Sequence, residues 1–315
     1  MFQIMKSDKM IDFMRWSKVA SVLSILMIAT SIGALSTKWL NWGLDFTGGT
    51  LIEVGFEQPA NLELIRGALQ AEGFGDATVQ NFGSAREVLV RLRPREDMTG
   101  EMLGNQILDT IKLGTGEQVE MRRIEFVGPN VGDELTEAGG LAIIASLICI
   151  LLYVSMRFEW RLAAGAVLAL THDVIITLGI FSLLEIEVDL TIVAALLTVV
   201  GYSLNDTIVV FDRIRENFRK MRKGESIEVM NNSITQTLSR TLITSATTLF
   251  VVIALFTQGG AMIHGFALAL LLGITVGTYS SIYVASALAL KLGIQREHLM
   301  PAQIEKEGAE FDEMP

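Results

Sequence analysis

Apolar residues gather into six runs along the chain, at about 19–36, 138–156, 162–183, 190–211, 241–258 and 265–289. Each approaches or exceeds the roughly 20 residues that an α-helix needs to cross hydrocarbon. Between the first run and the second, over residues 37–135, the pattern changes. There LIEVGF (51–56) alternates like a half-buried strand, and NLELIRGALQAEG (61–73) has helical spacing, with Asn61 as N-cap and Gly73 as stop. ATVQNF (77–82) and EVLVRL (87–92) read as strands joined through a Gly-Ser turn. TGEMLGNQILDTIKLG (99–114) reads as a second helix capped by Thr99, and EQVEMRRIEFVG (117–128) as a last strand. The order β-α-β-β-α-β is that of the split-βαβ arrangement. The pattern therefore predicts an α-helical polytopic membrane protein of six spans with one α+β, ferredoxin-like external domain. The expected division is an N-terminal lead 1–18, span one at 19–36, the external domain at 37–135 and a five-span bundle at 138–289. A basic loop at 212–240 interrupts the bundle, and an acidic tail, 290–315, is expected to be disordered.

Charge supplies the orientation. Lys6, Lys9, Arg15 and Lys18 precede span one, and Arg157 and Arg161 lie between spans two and three. Arg213, Arg215, Arg219, Lys220, Arg222 and Lys223 lie between spans four and five, and Lys291 and Arg296 follow span six. The opposite loops, EIEVD (185–189) and TQGGAMIH (257–264), hold neither Lys nor Arg. By the positive-inside rule both termini are cytoplasmic and 37–135 lies across the membrane. Ala34-Leu35-Ser36 also resembles a signal-peptide cleavage site, but the run's length and its eighteen-residue polar lead favour a span. The same rule accounts for the basic run at 213–223, so no nucleic-acid partner is implied. It leaves anionic lipid as a contact. The net charge of −10 is uneven, and the single cysteine, Cys149, admits no intrachain disulfide.

The candidate chemistry lies inside the runs. Asn205 and Asp206 sit side by side in VVGYSLNDTIVVF (199–211). A carboxylate in hydrocarbon costs about 2.5–3.5 kcal/mol on insertion scales, so intramembrane ionisable groups are functional candidates. Asp206 lies six positions before Asp212, roughly 9 Å inside the boundary, with Ser203 and Tyr202 one turn away. Arg240 opens span five at similar depth, on a face with Thr237, Thr244, Thr247 and Thr248. Asp206 with Arg240 is either a static ion pair or a relay for a transported cation. Span three adds His172 and Asp173 near mid-bilayer, as a structural hydrogen bond or a second station. Gly273 and Gly277 form a GxxxG match before Thr278, Tyr279, Ser280 and Ser281, which reads as close helix packing. Asp45 with Gly48-Gly49, where the chain leaves span one, is either a tight turn or a hinge. The external domain has no His/Cys cluster, phosphate loop or nucleophile elbow, so it is expected to bind or transmit motion rather than catalyse. No metal site and no enzyme are implied.

Four motifs carry a resemblance: GLDFTGGT (43–50), FVGPNVGDEL (126–135), GYSLNDTIVVFDRIREN (201–217) and SRTLITSATTLFVV (239–252). Together they resemble SecF, a family of bacterial inner-membrane subunits that work with SecD beside the Sec export channel. The wider group is the RND-type exporters. The resemblance implies a pseudo-symmetric pairing with SecD, contact with Sec channel subunits and a translocating preprotein, and H+ or Na+ as coupling ion, with no cofactor. It places the essential spanning carboxylate on Asp206 and the essential arginine on Arg240. Ser203, Asn205, Thr244, His172 and Asp173 are secondary candidates. The competing expectations are half of an RND-type exporter for a small molecule or lipid, and a membrane scaffold without transduction.

Overall fold

The computed structural model describes residues 10–95, 100–221 and 224–299. The expected Thr99 cap and the tail from residue 300 lie outside the described residues. Among the described residues, six helices are long and apolar enough to cross a membrane. A single 3-10 turn leads into α1 (Ser17–Thr37). The chain then forms β1 (Asn41–Trp42), α2 (Leu44–Thr47) and the α+β domain. That domain comprises β2 (Gly49–Phe56), α3 (Leu62–Ala71), β3 (Thr78–Phe82), β4 (Ser84–Leu92), α4 (Gly100–Thr115) and β5 (Val119–Val127). It returns to the bundle through α5 (Pro129–Arg157), α6 (Trp160–Leu183), β6 (Glu187–Val188), α7 (Leu190–Lys220) and α8 (Ser226–Gln258). The sixth crossing is α9 (Ala261–Tyr279), a π-helical turn (Ser280–Val284) and α10 (Ala285–Lys291), before the short α11 (Arg296–Leu299).

The domain's four strands lie in the order β3-β4-β2-β5, every neighbour antiparallel, which is the order the split-βαβ expectation requires. Ile52 faces Val90 on one side and Ile124 on the other. Alternation then sends Ile52, Val54, Val88 and Val90 to one face. There they meet Ile65 and Leu69 of α3 and Leu103, Ile107 and Ile111 of α4 in a single apolar core. Asn61 caps α3 as expected, accepting from the N–H groups of Glu63 and Leu64.

Two expected boundaries are corrected. The basic segment 212–240 is not a loop: α7 runs to Lys220 and α8 starts at Ser226. Phe211, Ile214 and Phe218 continue the buried face of α7, and Val229, Met230 and Ile234 begin that of α8. Leaving the bilayer therefore does not end either helix. Likewise α5 starts at Pro129, well before the expected 138, because Pro at the first helical position after the extended Gly128 starts a helix readily.

Small residues set the packing distances in the bundle, where the driving force is close contact rather than exclusion from water. The buried residues of α1 are Ala20, Ser24, Ser31 and Ala34. A Cβ on Gly179 of α6 would overlap Ser31. The GxxxG glycines pack on α7, Gly273 against Val199 and Gly277 against Ser203.

Candidate functional site

The bundle interior holds two carboxylates in different surroundings. Asp173 on α6 is 1% exposed. Its Oδ2 accepts from Ser203 Oγ of α7 at 2.6 Å and from Ser280 Oγ of the π-helical turn at 2.8 Å. Its Oδ1 lies 2.9 Å from Nδ1 of His172. Three partners from three parts of the chain hold it in place. His172 is also buried, and its Nε2 has no hydrogen-bond partner among the described residues.

Asp206 on α7 is 3% exposed. It lies three residues beyond Ser203, about 4.5 Å further along the helix. Its one hydrogen bond among the described residues comes from Ser245 Oγ of α8, at 3.4 Å. Ser245 in turn lies 2.8 Å from Thr278 Oγ1 and accepts from Tyr202 at 3.4 Å.

Arg240 does not close on Asp206. It is exposed on α8 and, among the described residues, forms no ion pair with the carboxylate, though its charge is within electrostatic range. The hydroxyl stripe expected around Arg240 is mostly turned away as well. Thr244, Thr247 and Thr248 bond back to carbonyls of their own helix. The side of α8 that is buried carries Thr237, Thr241 and Ser245. That row lies one residue round the helix from Arg240, a rotation of about 100°. Asn205 is exposed and makes no hydrogen bond among the described residues.

Span six joins the two centres. Its consecutive residues Thr278, Tyr279, Ser280 and Ser281 were expected to serve packing alone, yet each reaches a different helix. Thr278 meets Ser245 of α8, Tyr279 donates to the Ala20 carbonyl of α1 at 2.7 Å, Ser280 meets Asp173 of α6, and Ser281 lies 3.1 Å from Thr207 of α7. Consecutive residues on a helix point about 100° apart, which is how four neighbours address four elements. The π-helical turn begins within this run, and such turns recur at functional sites.

The third group lies where the domain meets the bundle. Asp45 Oδ2 accepts from the N–H of Leu190 at 2.9 Å, so it caps the first turn of the helix that carries Asp206. Gly48 and Gly49 have φ of +65° and +125°, and a Cβ on Gly49 would lie 2.3 Å from the Leu92 carbonyl oxygen. The backbone here is a tight turn that requires glycine, closely packed against β4 and the start of α5. Beside it, β1 pairs in parallel with β6. Arg91 of β4 donates to the Trp42 carbonyl at 2.9 Å and to Thr47, and lies 3.2 Å from Glu187 of β6. Burial pushes the Glu187 carboxyl above its ordinary value even though Arg91 opposes the shift.

Ser245, Thr207 and Thr241 were not singled out by the sequence. Their one signal is position, since all three lie on buried faces of α7 or α8. Among the described residues no group of three or more His, Cys, Asp or Glu side chains is placed to hold a metal ion.

Residues 107–295 match the family described as protein export membrane protein SecD/SecF, C-terminal, and residues 33–60 match the SecD/SecF GG motif. The chain is 85% identical to protein translocase subunit SecF of Vibrio alginolyticus, over the whole of both chains. It is 55% identical to protein translocase subunit SecF of Escherichia coli O157:H7, covering 98% of this chain and 96% of that one. The crystal structure of SecDF, a translocon-associated membrane protein from Thermus thermophilus, superposes with a TM-score of 0.83 at 39% identity, over 92% of this chain. This chain spans 40% of that longer one. A SecDF structure in a super-membrane-facing form matches over the same shares with a TM-score of 0.69.

Proposed function

The chain belongs to the SecF family of protein-translocase subunits, a multi-pass membrane protein with an accessory role in protein export, and we propose that Asp206 is where it takes up and releases the coupling cation. The observation that carries this reading is the contrast between the two carboxylates. Among the described residues Asp173 has three hydrogen-bonding neighbours within 2.9 Å, whereas Asp206 has one, at 3.4 Å, with Arg240 standing off. A buried carboxylate with so little compensation is tolerated when a cation neutralises it. The conformation described is then the loaded one. On release, the bare charge draws Arg240 inward, α7 and α8 repack, and the next cation reverses the change. This is a two-state element biased by a local charge.

The work is delivered along α7. Asp45 caps its first turn and continues directly into the glycine turn and β2, while Arg91 holds β4 to the same corner. A shift of α7 therefore moves the α+β domain. The chain acts with a SecD subunit, as the SecDF chains suggest, in the bacterial inner membrane, with both termini cytoplasmic and the domain on the outer side. There the domain engages the emerging preprotein beside the Sec channel, holding it against backsliding. Inward fall of one charge through 100 mV supplies about 2.3 kcal/mol per cycle before any concentration difference. The coupling ion is H+ or Na+, with no covalent chemistry.

The test is export by reconstituted vesicles carrying this chain, SecD and the channel. Asp206→Asn is expected to abolish stimulation by the ion gradient, a loss of roughly tenfold or more. Full stimulation in the variant would refute the relay. A scaffold without transduction predicts in addition that Asp206 and Arg240 can be replaced together by apolar residues with export unchanged.

A further inference from the structure

Buried hydroxyls recur on α8 at every fourth residue: Ser233, Thr237, Thr241 and Ser245. At 1.5 Å per residue the row spans about 18 Å. One end is Ser245, the donor to Asp206. At the other end Ser233 accepts from Asn217, which also donates to the exposed Gln236 at 3.1 Å. The row thus joins the relay carboxylate to the aqueous end of α7 and α8.

Thr241 in the middle is the exception. A threonine inside a helix ordinarily satisfies its hydroxyl on a carbonyl three or four residues back. Thr235, Thr237, Thr244, Thr247 and Thr248 all do so on α8. Thr241 does not: its Oγ1 is buried with no partner among the described residues, in a residue 1% exposed. An orphaned hydroxyl is destabilising, so packing alone would favour the isosteric valine. Its position one turn from Ser245 matches a group that accepts a passing ligand.

We infer that the Ser233–Thr237–Thr241–Ser245 row is the inward half of the ion route, and that Thr241 is a transient ligand for a hydrated monovalent cation or a proton-carrying water moving between Asp206 and the cytoplasm. This rests on the relay reading of Asp206 and extends it by giving the cation an exit. The row is closed in the conformation described and opens when α7 and α8 repack.

Thr241→Val removes the hydroxyl and keeps the shape. In the vesicle assay it is expected to cut gradient-stimulated export roughly fivefold or more, with Thr241→Ser at the wild-type rate and no fall in melting temperature for Thr241→Val. Undiminished stimulation in Thr241→Val would overturn the inference. If Asp206→Asn is inactive in the same series, the relay itself still stands. A second readout does not depend on export. In a Cys149→Ser background, a hydrophilic methanethiosulfonate reagent added on the cytoplasmic side is expected to label Thr241→Cys and Thr237→Cys about tenfold faster than the outward-facing Ile243→Cys. Equal rates at the three positions would count against the route.

Discussion

The two halves of the molecule are polar in opposite places. The α+β domain keeps its interior almost free of polar side chains: among the described residues of 49–127 only Thr50 and Thr110 are buried polar groups. The bundle, whose surroundings are more apolar, buries His172, Asp173, Asp206, Asn217 and Asn231 with a set of hydroxyls. Burial of oily side chains stabilises the domain against water. Between helices in lipid that force is absent, so packing and internal hydrogen bonds hold the bundle. Hydrogen bonding explains Asp173, which is fully partnered. It does not explain Asp206 or Thr241, which are not. Under the relay proposed for Asp206, a polar group that holds helices together is scaffold, and one left under-satisfied beside the Asp206 carboxylate is machinery.

That distinction can be broken by substitution. Asp173→Ala leaves Ser203, Ser280 and His172 without their common acceptor and is expected to destabilise the bundle by roughly 1–3 kcal/mol for each group left unsatisfied, with export lost through unfolding. Asp206→Asn, by contrast, should melt close to wild type while losing gradient-stimulated export. Thermal unfolding in detergent separates the two, and an unfolded Asp206→Asn would erase the difference claimed between the carboxylates. Ile107→Ala is the counterpart in the domain, expected to cost about 2–5 kcal/mol as an apolar cavity and to leave the bundle intact.

At the corner between the regions, Gly49→Ala forces a side chain into the Leu92 carbonyl at a positive φ, and is expected to cost roughly 1–3 kcal/mol. Export should fall even where both halves remain folded, as read by limited proteolysis. The smallest effect concerns Glu187. Its carboxyl is raised in the folded chain, so the stability it contributes is present at low pH and is lost as pH rises through the raised value. Wild type should therefore gain on Glu187→Gln by under about 1 kcal/mol as pH falls from neutral towards 4, measured by melting temperature.

The six crossings and the strand order were legible because each depends on a local period. Asp206 was legible because a charge in an apolar run is conspicuous. What was not legible depends on which way a helix is turned. Arg240 drew attention to Thr237, Thr244, Thr247 and Thr248, but of these only Thr237 is buried, in an inward row with Thr241 and Ser245, and a serine among threonines carries no distinguishing mark. Thr278 to Ser281 followed a GxxxG match and read as packing, whereas their separate partners lie on helices up to 259 residues away in sequence. The pairing of β1 with β6 joins two residues to two across the fold, too short to leave a pattern. The apolar runs stop at 211 and resume at 241, whereas α7 continues to Lys220 and α8 begins at Ser226, because Phe211, Ile214, Phe218, Val229, Met230 and Ile234 keep a buried face through the charged stretch.

A relay at Asp206 requires that its side chain change cation occupancy during work. Infrared difference spectra of the reconstituted complex, recorded as an ion gradient is imposed and collapsed, address this directly. A working relay gives a carboxyl signal that follows the gradient, a C=O stretch for a proton or a shifted carboxylate band for sodium, and that disappears in Asp206→Asn. Spectra that are the same in wild type and variant would contradict it.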